Sequence, residues 1–152
     1  MIRHYNPKEI GLETIIDFLK RSAQEYPCEV GEVNLTDWPQ KLNSFADVFC
    51  HLDNNGLITA ALFFYCNDLK SKKAYIPFIC SLHFNPKGIA YQLHNEYLNY
   101  SRSHGMDYSC LEVLKTNTHA RAFYKRQGYS IKEDHKEKLL LQLILLPSVN
   151  TI

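Results

Sequence analysis

The chain has no apolar run long enough to cross a membrane. The stretch Leu139–Leu146 is eight residues with Gln142 inside it, whereas a membrane helix needs about 20. The opening residues, Met-Ile-Arg-His-Tyr-Asn-Pro, lack the apolar segment of a secretory signal. A cytoplasmic protein without membrane partners is expected. An excess of one charge is missing too. Seventeen Lys+Arg against 16 Asp+Glu leave a formal charge of +1, too small for a dedicated nucleic-acid binder, though it leaves room for a local anion site. No two of the cysteines (Cys28, Cys50, Cys66, Cys80 and Cys110) stand at C-x-x-C spacing, and no two histidines at H-x-x-x-H spacing. Reduced core cysteines are therefore expected, with no disulfide framework and no metal. Internal repeats, low-complexity tracts and Gly/Ser linkers are absent as well.

What is present is one ordinary domain's worth of chain. The 152 residues are 45% apolar and 22% charged, which argues against disorder, collagen or coiled coil. A chain of this length buries roughly 70% of its unfolded surface without staples. Residues 2–6 read as a short strand. Leu12, Ile15, Ile16, Leu19 and Ala23 recur at helical spacing to about Gln24. Tyr26 to Asp37 reads as a loop, and Trp38 to Phe45 as a second short helix with Asp37 as its N-cap. Asp47–Leu52 and Leu57–Cys66 read as strands around Asp53-Asn54-Asn55-Gly56, because Asn-Gly supplies the positive φ of a tight turn. Ala74–Phe84 is β-like with Pro77 inside it. Proline cannot donate to a ladder, so it marks an edge, a bulge or the strand start.

The pattern then alternates. Ile89, Leu93, Tyr97 and Tyr100 form a helical stripe that Gly105 stops. Tyr108–Leu114 reads as a strand, Asn117 opens a helix that Gly128 ends, and Tyr129–Lys132 and Lys138–Leu146 read as the last strands. Hairpins followed by strand–helix–strand–helix–strand predict an α/β (α+β) domain with a mixed sheet. The apolar last strand either pairs with a second copy in a homodimer or, as the default, is buried inside its own sheet.

Two segments carry chemistry. In Leu82-His83-Phe84-Asn85-Pro86-Lys87-Gly88-Ile89-Ala90 a strand feeds a Gly-containing turn and then a helix. The first N–H groups of a helix have no internal partner, and the helix dipole makes that end positive. Gly88 and Ala90 are small enough to let an anion approach, and Lys87 adds charge, so the turn is a candidate phosphate cradle. It is neither a P-loop nor a dinucleotide fingerprint, because G-K-[S/T] and G-x-G-x-x-G are both absent. In the second segment Asn117 and Tyr124 stand two helical turns apart and share a face.

The run L-E-V-x-x-x-N-x-x-A-x-x-F-Y-x-x-x-G-Y, from Leu111 to Tyr129, resembles the second half of the GNAT superfamily of acyl-CoA-dependent N-acyltransferases. The likeness extends over about residues 46 to 145. It implies that residues 1–152 form a single GNAT-like domain. The expected fold is a mixed, mainly antiparallel central sheet of six to seven strands flanked by about four helices. It also implies N-acetyltransferase activity, with acetyl-CoA as donor and a small-molecule or peptide amine as acceptor. The alternative is a catalytically silent acyl-CoA-binding or regulatory module of the same fold. The family's Gln/Arg-x-x-Gly-x-Gly/Ala motif stands here as Asn85-Pro86-Lys87-Gly88-Ile89-Ala90, with Asn85 in place of Gln or Arg.

By that resemblance Phe78, Ile79 and Cys80 border the pantetheine arm, while Pro86, Lys87, Gly88, Ile89, Ala90 and Tyr91 wrap the pyrophosphate. Asn117 contacts the arm, and Tyr124 lies near the sulfur. Tyr124 suits protonation of the departing thiolate. A backbone N–H of the Phe78–Cys80 strand suits the developing oxyanion. Glu112 and His83 are candidate bases for the amine. Glu25, Glu29 and Glu32 are candidates to select a cationic acceptor, and Trp38, Tyr26 and Tyr65 to line its pocket, with solvated charges and core packing as the plain alternatives. A third reading, a nucleic-acid reader on Arg121, Lys125 and Arg126, has only a short basic run behind it.

Overall fold

A computed structural model describes residues 2–26, 37–82, 85 and 87–145. Cys28, Glu29, Glu32, His83, Phe84, Pro86 and Leu146 therefore lie outside the described residues. Seven strands form one sheet in the order β1-β2-β3-β4-β5-β7-β6. They are β1 (Ile2–Tyr5), β2 (Asp47–Leu52), β3 (Ile58–Asp68), β4 (Lys73–Ser81), β5 (Tyr108–Leu114), β6 (Ser130–Asp134) and β7 (Lys138–Ile144). Four helices are described: α1 (Leu12–Glu25), α2 (Asp37–Phe45), α3 (Ile89–Ser103) and α4 (Thr118–Arg126). All strand pairs are antiparallel except β4–β5, which is parallel. None of these helices is long and apolar enough to cross a membrane.

The sheet has helices on both faces, and the pleat sorts its side chains between two cores. Leu62, Phe64, Ala74, Leu111 and Val113 pack with Leu93 and Tyr97 of α3 and Tyr124 of α4. Ala61, Phe63 and Cys80 pack with Ile15, Phe18 and Leu19 of α1 and Leu42 of α2. Each such aliphatic or aromatic side chain gains roughly 1.5–3 kcal/mol on burial, which holds the amphipathic helices down. The Asn-Gly hairpin forms as expected: Asp53 Oδ1 accepts from the N–H groups of Asn55 and Leu57 at 2.8 and 3.0 Å, and Gly56 sits at φ 82°.

Some boundaries move. The helix expected from Trp38 begins at Asp37 itself, so Asp37 lies in its first turn rather than before it. The strand expected to reach Phe84 ends at Ser81, and the one expected from Tyr129 begins at Ser130. Pro77 resolves to the bulge among its three readings. Phe63 pairs with Phe78 and Tyr65 with Tyr75, so Ile76 and Pro77 together face Phe64. The Leu139–Leu146 strand takes its default reading. Strand β7 is paired along one edge with β5 and along the other with β6, so it has no open edge to offer a second copy.

Candidate active site

The parallel pair β4–β5 is short. Lys73–Tyr75 pair with Tyr108–Cys110, and the pairing stops there. Beyond Tyr75 the upper part of β4 continues on β3, while β5 continues on β7. The two central strands therefore part, and the edge of β4 that would have met β5 is left open. The Pro77 bulge falls at this point and adds local bend and twist.

A cleft of about 310 Å³ fills the opening. One wall is β4, through Phe78, Ile79, Cys80 and Ser81, and the other is β5, through Glu112, Val113 and Leu114. Ala90 of α3 closes one side, and Asn117, Ala120, Phe123 and Tyr124 close another. The cleft passes through the sheet. Val113 and Tyr124 belong to the core under α3 and α4, whereas Phe78 and Tyr26 pack with the core under α1 and α2.

Gly88 precedes α3 in the left-handed region, at φ 93° and ψ −2°. A side chain is strained there, although a Cβ would meet nothing within 4 Å. The first-turn N–H groups of α3 have no partner within the helix, and Ala90 of that turn lines the cleft. Lys87 and Tyr91 are exposed beside this turn and are not part of the cleft wall, while the Ile89 side chain is buried in the core, leaving only its backbone to a ligand. Asn85 turns the other way. Its Nδ2 donates to the Thr59 carbonyl at 2.6 Å and to Ser81 Oγ at 3.2 Å. The amide thus clasps the turn to β3 and has no N–H left for a phosphate.

Asn117 caps α4, with Oδ1 accepting from the Ala120 N–H at 3.0 Å. Only its Nδ2 remains to face the cleft. Tyr124, two turns on, is 4% exposed. Its ring sits 5.3 Å from Tyr129, 5.3 Å from Phe123 and 6.4 Å from His94. Among the described residues nothing is hydrogen-bonded to its hydroxyl. Burial, helped by the neighbouring Tyr129, pushes its pKa well above the ordinary phenol value, so it is a fully protonated donor at neutral pH.

Behind Tyr124 lies a buried polar chain. His94 Nε2 is 2.8 Å from the Tyr129 hydroxyl, which is 2.7 Å from Ser109 Oγ, itself 2.6 Å from the Tyr97 hydroxyl. His94 Nδ1 is buried with no partner among the described residues. Burial, and then the charge of Arg102, holds the imidazole pKa down to about 4, so the ring is neutral. Its proton belongs on Nε2, donating to Tyr129; on Nδ1 it would be a buried donor without an acceptor.

The remaining candidates divide. Glu112 reaches the cleft from the α1/α2 face and forms an ion pair with Lys138 of β7. Tyr26 lines the cleft and donates its hydroxyl to the Ser81 carbonyl at 2.8 Å. Trp38 packs edge-on against Phe78 at 5.4 Å, one step behind the wall. Tyr65 lies in a separate groove. Arg121 donates one guanidinium N–H to the Lys115 carbonyl at 3.0 Å, just ahead of α4. Cys50, Cys66 and Cys110 are free thiols. The sequence reading missed Ser81, His119, His94 and the Glu112–Lys138 pair. Alternation along β4 signals Ser81 once Ile79 is placed, and His94 falls one turn after Ala90.

Split central strands beside a helix N-terminus and a buried phenol define an α/β protein with an open cleft through its sheet. The model of the acetyltransferase (GNAT) family matches residues 12–129, and the chain belongs to that family. A comparison with curated proteins returns no match. Solved structures share the fold throughout. The ribosomal-protein-S18-alanine N-acetyltransferase from Escherichia coli superposes with a TM-score of 0.74 at 13% identity, over 100% of this chain and 99% of that one. The PaiA N-acetyltransferase from Thermoplasma acidophilum, solved in complex with coenzyme A, gives 0.73 at 15% identity over 95% and 99%. A GNAT-family acetyltransferase from Staphylococcus aureus Mu50 gives 0.73 at 13% over 96% and 100%.

Proposed function

We propose that the protein transfers an acetyl group from acetyl-CoA to the primary amine of a small-molecule or peptide acceptor. The observation that carries this reading is one continuous cleft joining the N-terminus of α3, the open edge of β4, Asn117 and Tyr124. Family membership supports it, and so does the coenzyme A complex of the Thermoplasma structure with the same fold. Acetyl-CoA supplies the acetyl thioester, whose C–S bond breaks as a C–N bond to the amine forms.

Each element has a task in this reading. The first-turn N–H groups of α3, reached over Gly88 and Ala90, hold the pyrophosphate, with Lys87 beside them. The open backbone of Phe78, Ile79 and Cys80 hydrogen-bonds the arm and offers a donor to the developing oxyanion. The free Nδ2 of Asn117 orients the arm. Tyr124 holds the proton that the departing sulfur needs. Glu112 stands on the acceptor side and accepts the proton of the incoming amine once Lys138 swings aside. The catalytically silent module stays in view because the Asn85 amide is spent on its own turn. CoA release measured over a panel of amines decides between the two. Turnover supports the transferase, and acetyl-CoA binding without any turnover supports the module.

A further inference from the structure

The hydroxyl of Tyr124 has no hydrogen-bond partner among the described residues. No bond at its tip aims it, so its direction is set by what its ring rests on. Tyr129 and Phe123 each stand 5.3 Å away, at 69° and 76°, and His94 stands 6.4 Å away at 65°. These contacts are edge-on, an arrangement that aromatic pairs favour. Phe123 is the chain neighbour of Tyr124 in α4. His94 comes from α3, and Tyr129 follows the Gly128 turn.

The rings of His94 and Tyr129 are tied to each other. His94 Nε2 is 2.8 Å from the Tyr129 hydroxyl, and that hydroxyl is 2.7 Å from Ser109 Oγ of β5. The Tyr129 N–H also donates to the Tyr124 carbonyl at 3.1 Å. The hydroxyl bonds hold the far end of the Tyr129 ring, and the bond at Nε2 sets the rotation of the imidazole. His94 carries a cost that packing does not explain. Its Nδ1 is buried without a partner among the described residues, and an unpaired buried polar atom loses free energy that a leucine there would not. His94 also stands one turn after Ala90, the α3 residue that lines the cleft. The imidazole therefore links the helix beside the cleft to the phenol within it.

We propose that His94 and Tyr129 are positioning residues for Tyr124, their hydrogen bond locking the rings that aim its hydroxyl into the cleft. The inference rests on the acetyltransferase reading and names the parts that hold its acid in place. Neither side chain lines the cleft, so both act through Tyr124 and not on the substrate. The proton that reaches the sulfur is still that of Tyr124.

The test is a double-mutant cycle on acetyl-CoA turnover. His94→Leu keeps an apolar side chain in the core and removes the bond. Its kcat is expected to fall roughly tenfold or more, as for a misplaced reacting group, with KM for acetyl-CoA within about twofold. His94→Gln, which keeps an N–H donor, should recover most of that loss. In a Tyr124→Phe background His94→Leu should cost nothing further, because the hydroxyl it aims is gone. Tyr129→Phe cuts the same bond with the ring retained and should repeat the pattern, which keeps the test open if His94→Leu does not fold. A full rate in both single variants, or a loss that multiplies with that of Tyr124→Phe, would overturn the inference. A wild type that turns over no amine defeats the acetyltransferase reading instead. The ring-carbon NMR signal of Tyr124, identified by its loss in Tyr124→Phe, then decides on the seating. It should move in His94→Leu and Tyr129→Phe and return in His94→Gln. An unchanged signal in every variant would overturn the inference.

Discussion

Acid should weaken this protein through His94. The imidazole has no exposed surface, and burial holds its pKa down to about 4 against an ordinary value of 6.5. In the unfolded chain the ring regains the ordinary value, so between pH 4 and 6.5 the unfolded state binds more protons than the folded one. Stability therefore rises with pH across that window, is complete above 6.5 and is lost as pH falls towards 4. At 1.36 kcal/mol per unit the full difference is about 3 kcal/mol. His94→Gln keeps an N–H donor within reach of Tyr129 and removes the titration. Urea unfolding of both proteins from about pH 7.5 to about 4.5 isolates the effect, because the carboxylates they share cancel in the difference. Wild type should lose about 2–3 kcal/mol relative to the variant over that range. A difference that stays flat within about 0.5 kcal/mol would refute the burial argument. The consequence reaches the active site, because the Tyr124 ring rests on His94 and Tyr129.

Three further outcomes are expected at the cleft. Tyr124→Phe should lower kcat by roughly 10²–10³ while leaving CoA affinity within about twofold; equal rates for the two proteins would remove the acid role. Gly88→Glu should abolish thermal stabilisation by CoA, because it places a carboxylate where the helix dipole would hold a phosphate. Gly88→Ala, which carries only the strain of φ 93°, should cost about 1 kcal/mol of stability and keep most of the binding, and loss of binding in both would count against the charge argument. Asn117→Asp keeps the cap acceptor for Ala120 N–H and removes the Nδ2 donor. CoA affinity should therefore fall with no loss in melting temperature, whereas Asn117→Ala should lose both, with about 1 kcal/mol from the missing cap.

Features written in neighbouring residues were legible in the sequence. The 3.6-residue stripes set α1 and α3, Asn-Gly set the β2–β3 hairpin, and Asn117 and Gly128 bracketed α4. The Leu111–Tyr129 run placed Asn117 and Tyr124 on one face because a helix alone fixes that geometry. What depends on distant partners was not legible. Proline at 77 has three local meanings, and only the register of β3 against β4 selects the bulge. Glu112 and Lys138 meet because β5 and β7 pair with Leu114 opposite Lys138, which no local pattern foretells. Asn85 shows the same limit. Its place in the motif marked only a departure from Gln or Arg, and the Thr59 carbonyl, 26 residues away, claims the amide.

The point where the strands part is therefore the feature on which both functional readings depend. A parallel pair held by three residues on each strand, Lys73–Tyr75 and Tyr108–Cys110, leaves the backbone above it open for an arm. That opening is walled by Phe78, Ile79, Cys80 and Ser81 on one side and by Glu112, Val113 and Leu114 on the other. Tyr26 and the β4 wall of that opening lie outside the Leu111–Tyr129 run, and family membership leaves the acceptor's chemistry open.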